Sequence, residues 1–392
     1  MQSGGTTLQQ PLISESAAEI VGYNEDVLSQ ILSRLPVKSL GKFRCVSKNW
    51  NSLISHLRPR VYSPCGLLVR SVKLDEHEDG YKYEYVSLDT HNHRNEEAPF
   101  SNLTFVHDRL SIDVVRSTNG LLLLRSTNYN EGYYYVYSPI TKQYRKCPPV
   151  DEDSSFFDPF LVYDPLISPS YKIVGIRKCY LTGKSEYKAV IYSSQTGSWR
   201  VSNTLITTLI RGLTMCQFQD PVPLNGAVYF ITCCRGYCFD VGKEQVKEFI
   251  VPGDSGHIYF DKYFGESRGR LYGVVSADPR TDATGRVLFD VYEMGIDCTQ
   301  WSLKYKIEGD LYSIFCVRVM FVVREENEDD SFAVLDVYDI IYSYNFKNKK
   351  FTELSEFSFP EDGKSCFNLC RAHLYTEVPA FPQDLTKVLP FD

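Results

Sequence analysis

The sequence predicts a small all-α head over residues 22–59, preceded by a disordered tail over 1–21 and followed by an all-β, propeller-like domain of six or seven blades over 60–392. Three observations predict it. Only the segment from Asn24 to Pro59 has sustained helical periodicity. Downstream, short apolar or alternating runs rich in aromatic and β-branched residues take over, the composition that suits strands. Those runs repeat one aromatic register at an interval of roughly 50 residues.

Composition limits the alternatives. Of 392 residues, 43% are hydrophobic and 23% charged, the balance of an ordinary soluble globular chain. The excess lies in aromatics, with 28 Tyr and 23 Phe against 4 Met. A net charge of −7 excludes a global nucleic-acid footprint, so no nucleic-acid partner is expected. No run approaches the roughly 18 apolar residues of a membrane helix, and no membrane partner is expected either. Met1–Glu19, rich in Gly, Thr, Gln and Ser, lacks the basic and apolar regions of a signal peptide. The expected location is therefore the cytosol or nucleus, with the 12 cysteines reduced.

The head begins with Asn24 as a candidate N-cap, and Glu25 and Asp26 place negative charge where the helix dipole favours it. Val27, Leu28, Ile31, Leu32 and Leu35 form one apolar stripe. Pro36 is expected to stop that helix, because it has no amide to donate and disfavours α geometry at Leu35. Ser39 is a candidate cap for a second helix carrying Leu40 and Phe43. Ser47 would cap a third, with Trp50, Leu53, Ile54 and Leu57 on one face. Three helices in about 40 residues, with no disulfide or metal, cannot bury that much apolar surface among themselves. The head is expected to dock on something.

These residues resemble a known family. LSQILSRLPVKSL followed by FRCVSKNWNSLI is similar to the F-box, and the likeness covers residues 22–58. Family members usually carry Leu-Pro before the acidic pair where this chain has Tyr23-Asn24. The resemblance implies docking on a Skp-type adaptor and, through it, on the cullin and RING subunits of a ubiquitin ligase. It assigns Leu28, Ile31, Leu32, Leu35, Pro36, Leu40, Phe43, Val46 and Trp50 to the adaptor face and its support. Charge agrees: six basic residues against Glu25 and Asp26 give the head +4, and with Glu15 and Glu19 in the tail the rest of the chain carries −9. A basic head on an acidic body suits an acidic adaptor.

The repeat is read from Tyr137, Tyr192, Phe239, Tyr292 and Tyr344, each ending an apolar run. Four are followed at +7 by a large residue: Tyr144, Trp199, Val246 and Phe351. In the unit of Tyr292 the candidate is Trp301 at +9, with a longer turn. Turn-formers lie between (SPITKQ, SSQTGS, DVGKEQ, NFKNKK), so each unit reads as strand, tight turn, strand. A fainter copy begins at Tyr85, which makes the intervals 52, 55, 47, 53 and 52 residues. A sandwich rarely sustains one register through six copies, whereas propeller blades do. Residues 60–74 and 367–381 would complete one shared blade or make an extra one. STNGLLLL, YDPLISPSYKIVGI, IYSSQTGSWR and LNGAVYF resemble the F-box-associated domain, which implies a kelch-like propeller that binds a target protein for ubiquitination. The double-glycine kelch signature is absent.

Catalytic motifs are absent as well: no nucleophile elbow, zinc-protease helix, P-loop or dinucleotide fingerprint occurs. The expectation is a non-catalytic chain without cofactor or metal. Cys233, Cys234 and Cys238 lack paired spacing, and His91 with His93 lacks completing ligands. Tyr129–Tyr137 should be mostly core, with exposed rings at a rim. The acidic run Glu325–Asp330 is expected to be a solvated loop held open by repulsion.

Overall fold

The computed structural model describes residues 24–35, 37–56, 63–71, 82–88, 112–126, 133–150, 159–165, 167–181, 184–205, 221–231, 235–251, 263–276, 287–295, 298, 300–309, 317–337, 340–356, 372–378, 382, 385, 387 and 388. The chain divides into two compact units, Met1–Arg58 and Pro59–Asp392.

The first unit holds helices α1 (Glu25–Leu32), α2 (Val37–Phe43) and α3 (Lys48–His56). Asn24 caps α1 as expected, with extended backbone and its Oδ1 accepting the Val27 amide at 3.1 Å. Ser47 caps α3, its hydroxyl accepting the Trp50 amide at 3.1 Å. Two boundaries differ from expectation. α1 ends at Leu32, because the Arg34 and Leu35 amides tighten onto the Ile31 and Leu32 carbonyls, both at 3.1 Å, ahead of the proline. α2 starts at Val37, directly after Pro36, so Ser39 lies inside the helix and does not cap it. A proline beside a helix start withholds an amide that no helical carbonyl needs.

Six separate sheets make up the described strands of the second unit, one for each aromatic repeat. Blade 1 contains β1 (Gly66–Ser71) and β2 (Lys82–Ser87). Blade 2 contains β3 (Ile112–Thr118), β4 (Leu121–Ser126), β5 (Tyr134–Ser138) and β6 (Gln143–Lys146). Blade 3 contains β7 (Phe160–Val162), β8 (Lys172–Leu181), β9 (Lys184–Ser193) and β10 (Ser198–Leu205). Blade 4 runs β11 (Val222–Leu224), β12 (Ala227–Ile231), β13 (Gly236–Asp240) and β14 (Gln245–Phe249). In blade 5 are β15 (Tyr263–Ser267), β16 (Arg270–Ser276), β17 (Val287–Met294) and β18 (Trp301–Glu308). β19 (Val317–Val323), β20 (Phe332–Val337), β21 (Ile340–Asn345) and β22 (Phe351–Glu356) form blade 6. β23 (Ala372–Tyr375) then returns to β1, pairing Leu67 with Leu374 and Leu68 with His373. The two chain segments that left the blade count open therefore share blade 1, and the propeller has six blades. A last strand, β24 (Lys387–Val388), pairs with the outer strand of blade 2, and nearby Leu385 is buried among residues of blades 2 and 3.

The +7 rule is a cross-strand register. Tyr137 faces Tyr144, Tyr192 faces Trp199, Phe239 faces Val246 and Tyr344 faces Phe351, each across the outer hairpin of its blade. Tyr85 occupies the same third-strand place in blade 1. The unit of Tyr292 is different: an irregularity between Val291 and Tyr292 shifts the register, so Tyr292 faces Leu303 and Trp301 faces Met294. Outer turns are closed by side chains. Asp240 Oδ1 accepts the Gly242 and Lys243 amides at 2.9 Å, and Asn345 Oδ1 accepts those of Lys347 and Asn348 at 3.0 and 2.9 Å. Inner hairpins of blades 2, 4 and 5 turn on two residues with positive φ, Asn119-Gly120, Asn225-Gly226 and Arg268-Gly269. That geometry matches the twist of the strands it joins.

Apolar clusters lie between successive blades around the whole ring, from blades 1 and 2 to blades 6 and 1. Leu121 and Leu123 face blade 3 while Leu122 and Leu124 face blade 1. This explains why GLLLLR is continuously apolar: a blade is covered on both faces, so alternation has no solvent side to mark. Tyr137, Tyr171, Tyr192, Tyr272, Tyr344 and Tyr375 are among the largest fully buried side chains.

Candidate functional site

The described residues that the sequence marks for docking fall into three populations in the head. Leu28, Leu32 and Leu40 are buried with Ile54 and make the trihelical core. Leu35, Phe43 and Trp50 pack against it half-buried, with the Phe43 and Trp50 rings edge to face at 5.4 Å. Ile31 and Val46 are 44% and 58% exposed, and Val27, one helical turn before Ile31, is 38% exposed. Pro36 lies outside the described residues. Exposed β-branched side chains one turn apart on α1 form an apolar strip that this small core does not cover. The sequence signal for Val27 was its place in the stripe, four residues before Ile31. Arg44 Nε donates to Asn51 Oδ1 at 2.6 Å, and burial lowers the guanidinium's pKa from its usual value.

The second candidate is the central channel of the ring, a cavity of about 890 Å³. Its walls are the inner strands β3, β7, β11, β15, β19 and β23. One mouth is bordered by the two-residue turns of blades 2, 4 and 5 and by longer inner connections in blade 3, residues 163–171, and blade 6, residues 324–331. In the latter, the Arg324 amide donates to Ser267 Oγ at 2.8 Å, and Glu325 accepts from the Ser63 hydroxyl that Arg268 also reaches. Asn119 at this mouth donates through Nδ2 to the Tyr163 carbonyl at 2.8 Å, tying the blade 2 turn to the blade 3 loop. Glu266 accepts the Gly269 amide at 2.7 Å, and its carboxyl is pushed above the ordinary range, first by burial and then by Asp164.

Other sequence candidates resolve differently. Tyr134, Tyr135 and Tyr137 are buried and Tyr133 is half-buried, while Tyr129 lies outside the described residues. The acidic run is not held open by repulsion. It folds into a 3-10 turn, Glu328–Asp330, capped by Asn327, with Glu328 paired to Lys304 and Asp329 to Lys347 at 3.3 Å. Basic neighbours on β18 and in the β21–β22 turn supply the compensation, which a linear reading cannot see. His91, His93, Cys233 and Cys234 fall outside the described residues, and Cys238 is half-buried. Among the described residues no helix is long and apolar enough to cross a membrane.

Comparison with known proteins places both units. Residues 24–62 match the F-box domain, and residues 88–246 match the β-propeller of F-box protein At3g26010-like sequences. F-box protein At5g07610 of Arabidopsis thaliana is 30% identical over 383 residues, covering 88% of each chain. F-box protein At5g49610 of the same plant is 36% identical over 131 residues, 32% of this chain and 33% of the relative. F-box protein At3g07870, also from Arabidopsis thaliana, is 26% identical over 264 residues, 59% of this chain and 61% of the relative. The chain belongs to the family of plant F-box proteins that join an F-box domain to an At3g26010-like β-propeller.

Proposed function

We propose that this protein is the substrate-recognition subunit of a Skp-cullin-F-box ubiquitin ligase, working in the cytosol or nucleus. The F-box docks on the Skp-type adaptor, and the six-bladed ring holds a target protein. The observation that carries this reading is the joining of an F-box domain, whose Ile31 and Val46 stand exposed, to a propeller in one chain. Ubiquitin transfer then belongs to the RING subunit and its conjugating enzyme. This chain contributes proximity, raising the effective concentration of target lysines near the charged enzyme. The +4 head assists the encounter with an acidic adaptor.

The test is co-purification with the adaptor. Ile31→Asp with Val46→Asp changes two exposed positions and spares Leu28, Leu32 and Leu40 in the core, so the head stays folded while two exposed apolar residues become charged. Loss of the adaptor from the purified complex is expected, and full retention would overturn docking through this face. A second reading, a scaffold that holds the adaptor without delivering a target, is favoured by Tyr23-Asn24, because Asn24 is engaged in capping α1 where relatives place proline. Target half-life separates the two. A receptor shortens it in a cullin-dependent way, and a scaffold leaves it unchanged.

A further inference from the structure

The six sheets are not alike at their outer edges. Blades 3 to 6 each have four strands and end, among the described strands, on β10, β14, β18 and β22. Blade 2 alone has a fifth, because β24 pairs with β6 and sets Lys387 opposite Tyr144 and Val388 opposite Gln143. Four strands complete a blade, so β24 is an addition to a finished sheet edge. Pairing along a free edge is how sheets take up extended peptides.

The boundary between blades 2 and 3 supplies the second observation. It shares its frame with the boundary between blades 4 and 5. Trp199 Nε1 donates to the Pro148 carbonyl at 2.8 Å in the first, and Trp301 Nε1 to the Ile250 carbonyl at 2.7 Å in the second. Among the described residues, only the first also holds a side chain from outside its two blades. Leu385 is 4% exposed in the apolar cluster of Leu123, Val136, Cys147 and Tyr192, against which Trp199 packs. A turn sets it there, the Leu385 amide donating to the carbonyl of buried Pro382 at 3.4 Å. Two residue pairs and one leucine are a small hold beside the four pairs that β6 makes with β5.

Upstream, the segment is fixed separately. Val378 is buried against the inner turn of blade 2, where Gly120 has φ +79°. A Cβ on Gly120 would meet the Thr376 carbonyl oxygen at 3.1 Å and Val378 Cβ at 3.2 Å, so the bare backbone lets the segment pass closely.

We propose that the edge of β6 and the groove between blades 2 and 3 form a binding site for an extended peptide with one aliphatic anchor, which residues 382–388 of this chain occupy as an exchangeable ligand. The anchor takes the place of Leu385, and the residues two and three positions after it pair with Tyr144 and Gln143. A partner's segment of the same pattern competes for the site. Fixation at Val378 keeps the chain's own segment beside the groove at high effective concentration. The inference goes beyond the receptor role and does not depend on it.

The experiment uses the full-length chain and a fluorescein-labelled synthetic peptide with the sequence of residues 381–389, FPQDLTKVL. Leu385→Asp in the chain withdraws its own anchor. That variant should bind the peptide saturably by fluorescence anisotropy. The wild-type chain should bind it about tenfold more weakly, since a tethered competitor acts at roughly millimolar effective concentration. A peptide carrying Leu385→Asp should not bind. Hydrogen exchange is the second readout: amides of residues 143–146 should exchange faster in the variant and recover with the peptide, while β19–β22 stay unchanged. No binding by the variant, like binding of both peptides, equal binding by variant and wild type, or unchanged exchange at 143–146 would each overturn the proposal. Leu385→Ala, a milder change, guards against a folding defect. If exchange rises throughout the ring in both variants, the segment belongs to the core and the proposal falls as well.

Discussion

Asp113 offers the sharpest test of how the first and second blades are held together. It sits on β3 with a 2% exposed side chain and receives a hydrogen bond from the Tyr83 hydroxyl of β2 at 2.7 Å. Arg70 of β1 lies at 3.5 Å and Arg125 of β4 at 3.3 Å, so one carboxylate serves a guanidinium and a phenol across the blade boundary and a second guanidinium within its own blade. The Tyr83 oxygen in turn accepts the Val114 amide at 2.8 Å. Asp113→Ala removes the shared carboxylate and leaves the charges it balanced. Breaking a buried pair from one side costs about 3–5 kcal/mol. Arg125, 34% exposed, recovers part of its loss from water, which puts the expectation near the lower figure, about 3 kcal/mol. Asp113→Asn keeps an acceptor for Tyr83 and should cost about half as much. Removing the charges together, Asp113→Leu with Arg70→Met, should recover part of the Ala loss, because two ions no longer need desolvation. Urea unfolding followed by tryptophan fluorescence suits the measurement, since Trp199 and Trp301 both report on the ring. If the Ala and Asn variants both unfold within about 0.5 kcal/mol of the wild type, below the usual worth of one buried hydrogen bond, the cluster does not hold the two blades.

Three further outcomes follow from other contacts. Trp199 Nε1 donates to the Pro148 carbonyl at 2.8 Å and Trp301 Nε1 to the Ile250 carbonyl at 2.7 Å, each reaching from an outer strand to the preceding blade. Trp199→Phe and Trp301→Phe should each cost about 1 kcal/mol and add in the double variant, as measured by denaturant midpoint at constant slope. Glu266 has a folded-state pKa above its unfolded value, so its stability contribution is fully present below the ordinary value of 4.5 and is lost as pH rises through the raised one. Glu266→Gln should therefore raise the melting temperature at neutral pH and give no gain near pH 4; equal gains at both would refute the sign. Burial, aided by Glu377, pushes the Cys65 thiol up to about 11, whereas Cys45 is exposed. Iodoacetamide at mildly alkaline pH should label Cys45 well before Cys65, with peptide mass spectrometry as the readout and equal rates as the refuting result.

Much of the architecture was legible because a propeller repeats a local rule. The +7 aromatic pairs are a statement about hairpin geometry, and four of them lie opposite one another in the strands. The rule failed at Tyr292, where an irregular register in β17 and β18 moves Trp301 away from it. Trp301 still does what Trp199 does, donating its indole N–H to the blade before. A spacing search over one hairpin finds the partner across the turn and misses the partner across the blade boundary. The acidic run was opaque for the same reason, since Lys304 and Lys347 reach it from other strands. In the head, helix and cap positions were legible, but a helical stripe does not say which of its residues face inward. Leu28 and Leu32 are core and Ile31 is exposed, although all three sit in one apolar pattern.

The ring's packing also explains why recognition chemistry is the hardest part to read. Alternate residues of a blade strand feed two different interfaces, as Leu121 to Leu124 do, so most strand positions are committed to burial and carry no information about a partner. The tyrosine excess belongs here: Tyr137, Tyr192 and Tyr344 are large enough to fill the widening gap between blades, and their abundance reports architecture. What remains free to vary is the set of connections at the mouths and edges. In blades 2, 4 and 5 the inner connection is reduced to the two residues that the twist requires, which leaves it little room for chemistry. Residues 163–171 of blade 3 and 324–331 of blade 6 break that economy with longer, internally bonded loops, the first exposing Ile167 at the channel mouth and the second carrying the acidic run. A departure from the repeat at the channel mouth is where selection on a partner can act without disturbing the ring. For that reason Ile167→Asp, at an exposed loop position, should leave the denaturant midpoint unchanged, whereas Asp113→Ala should lower it.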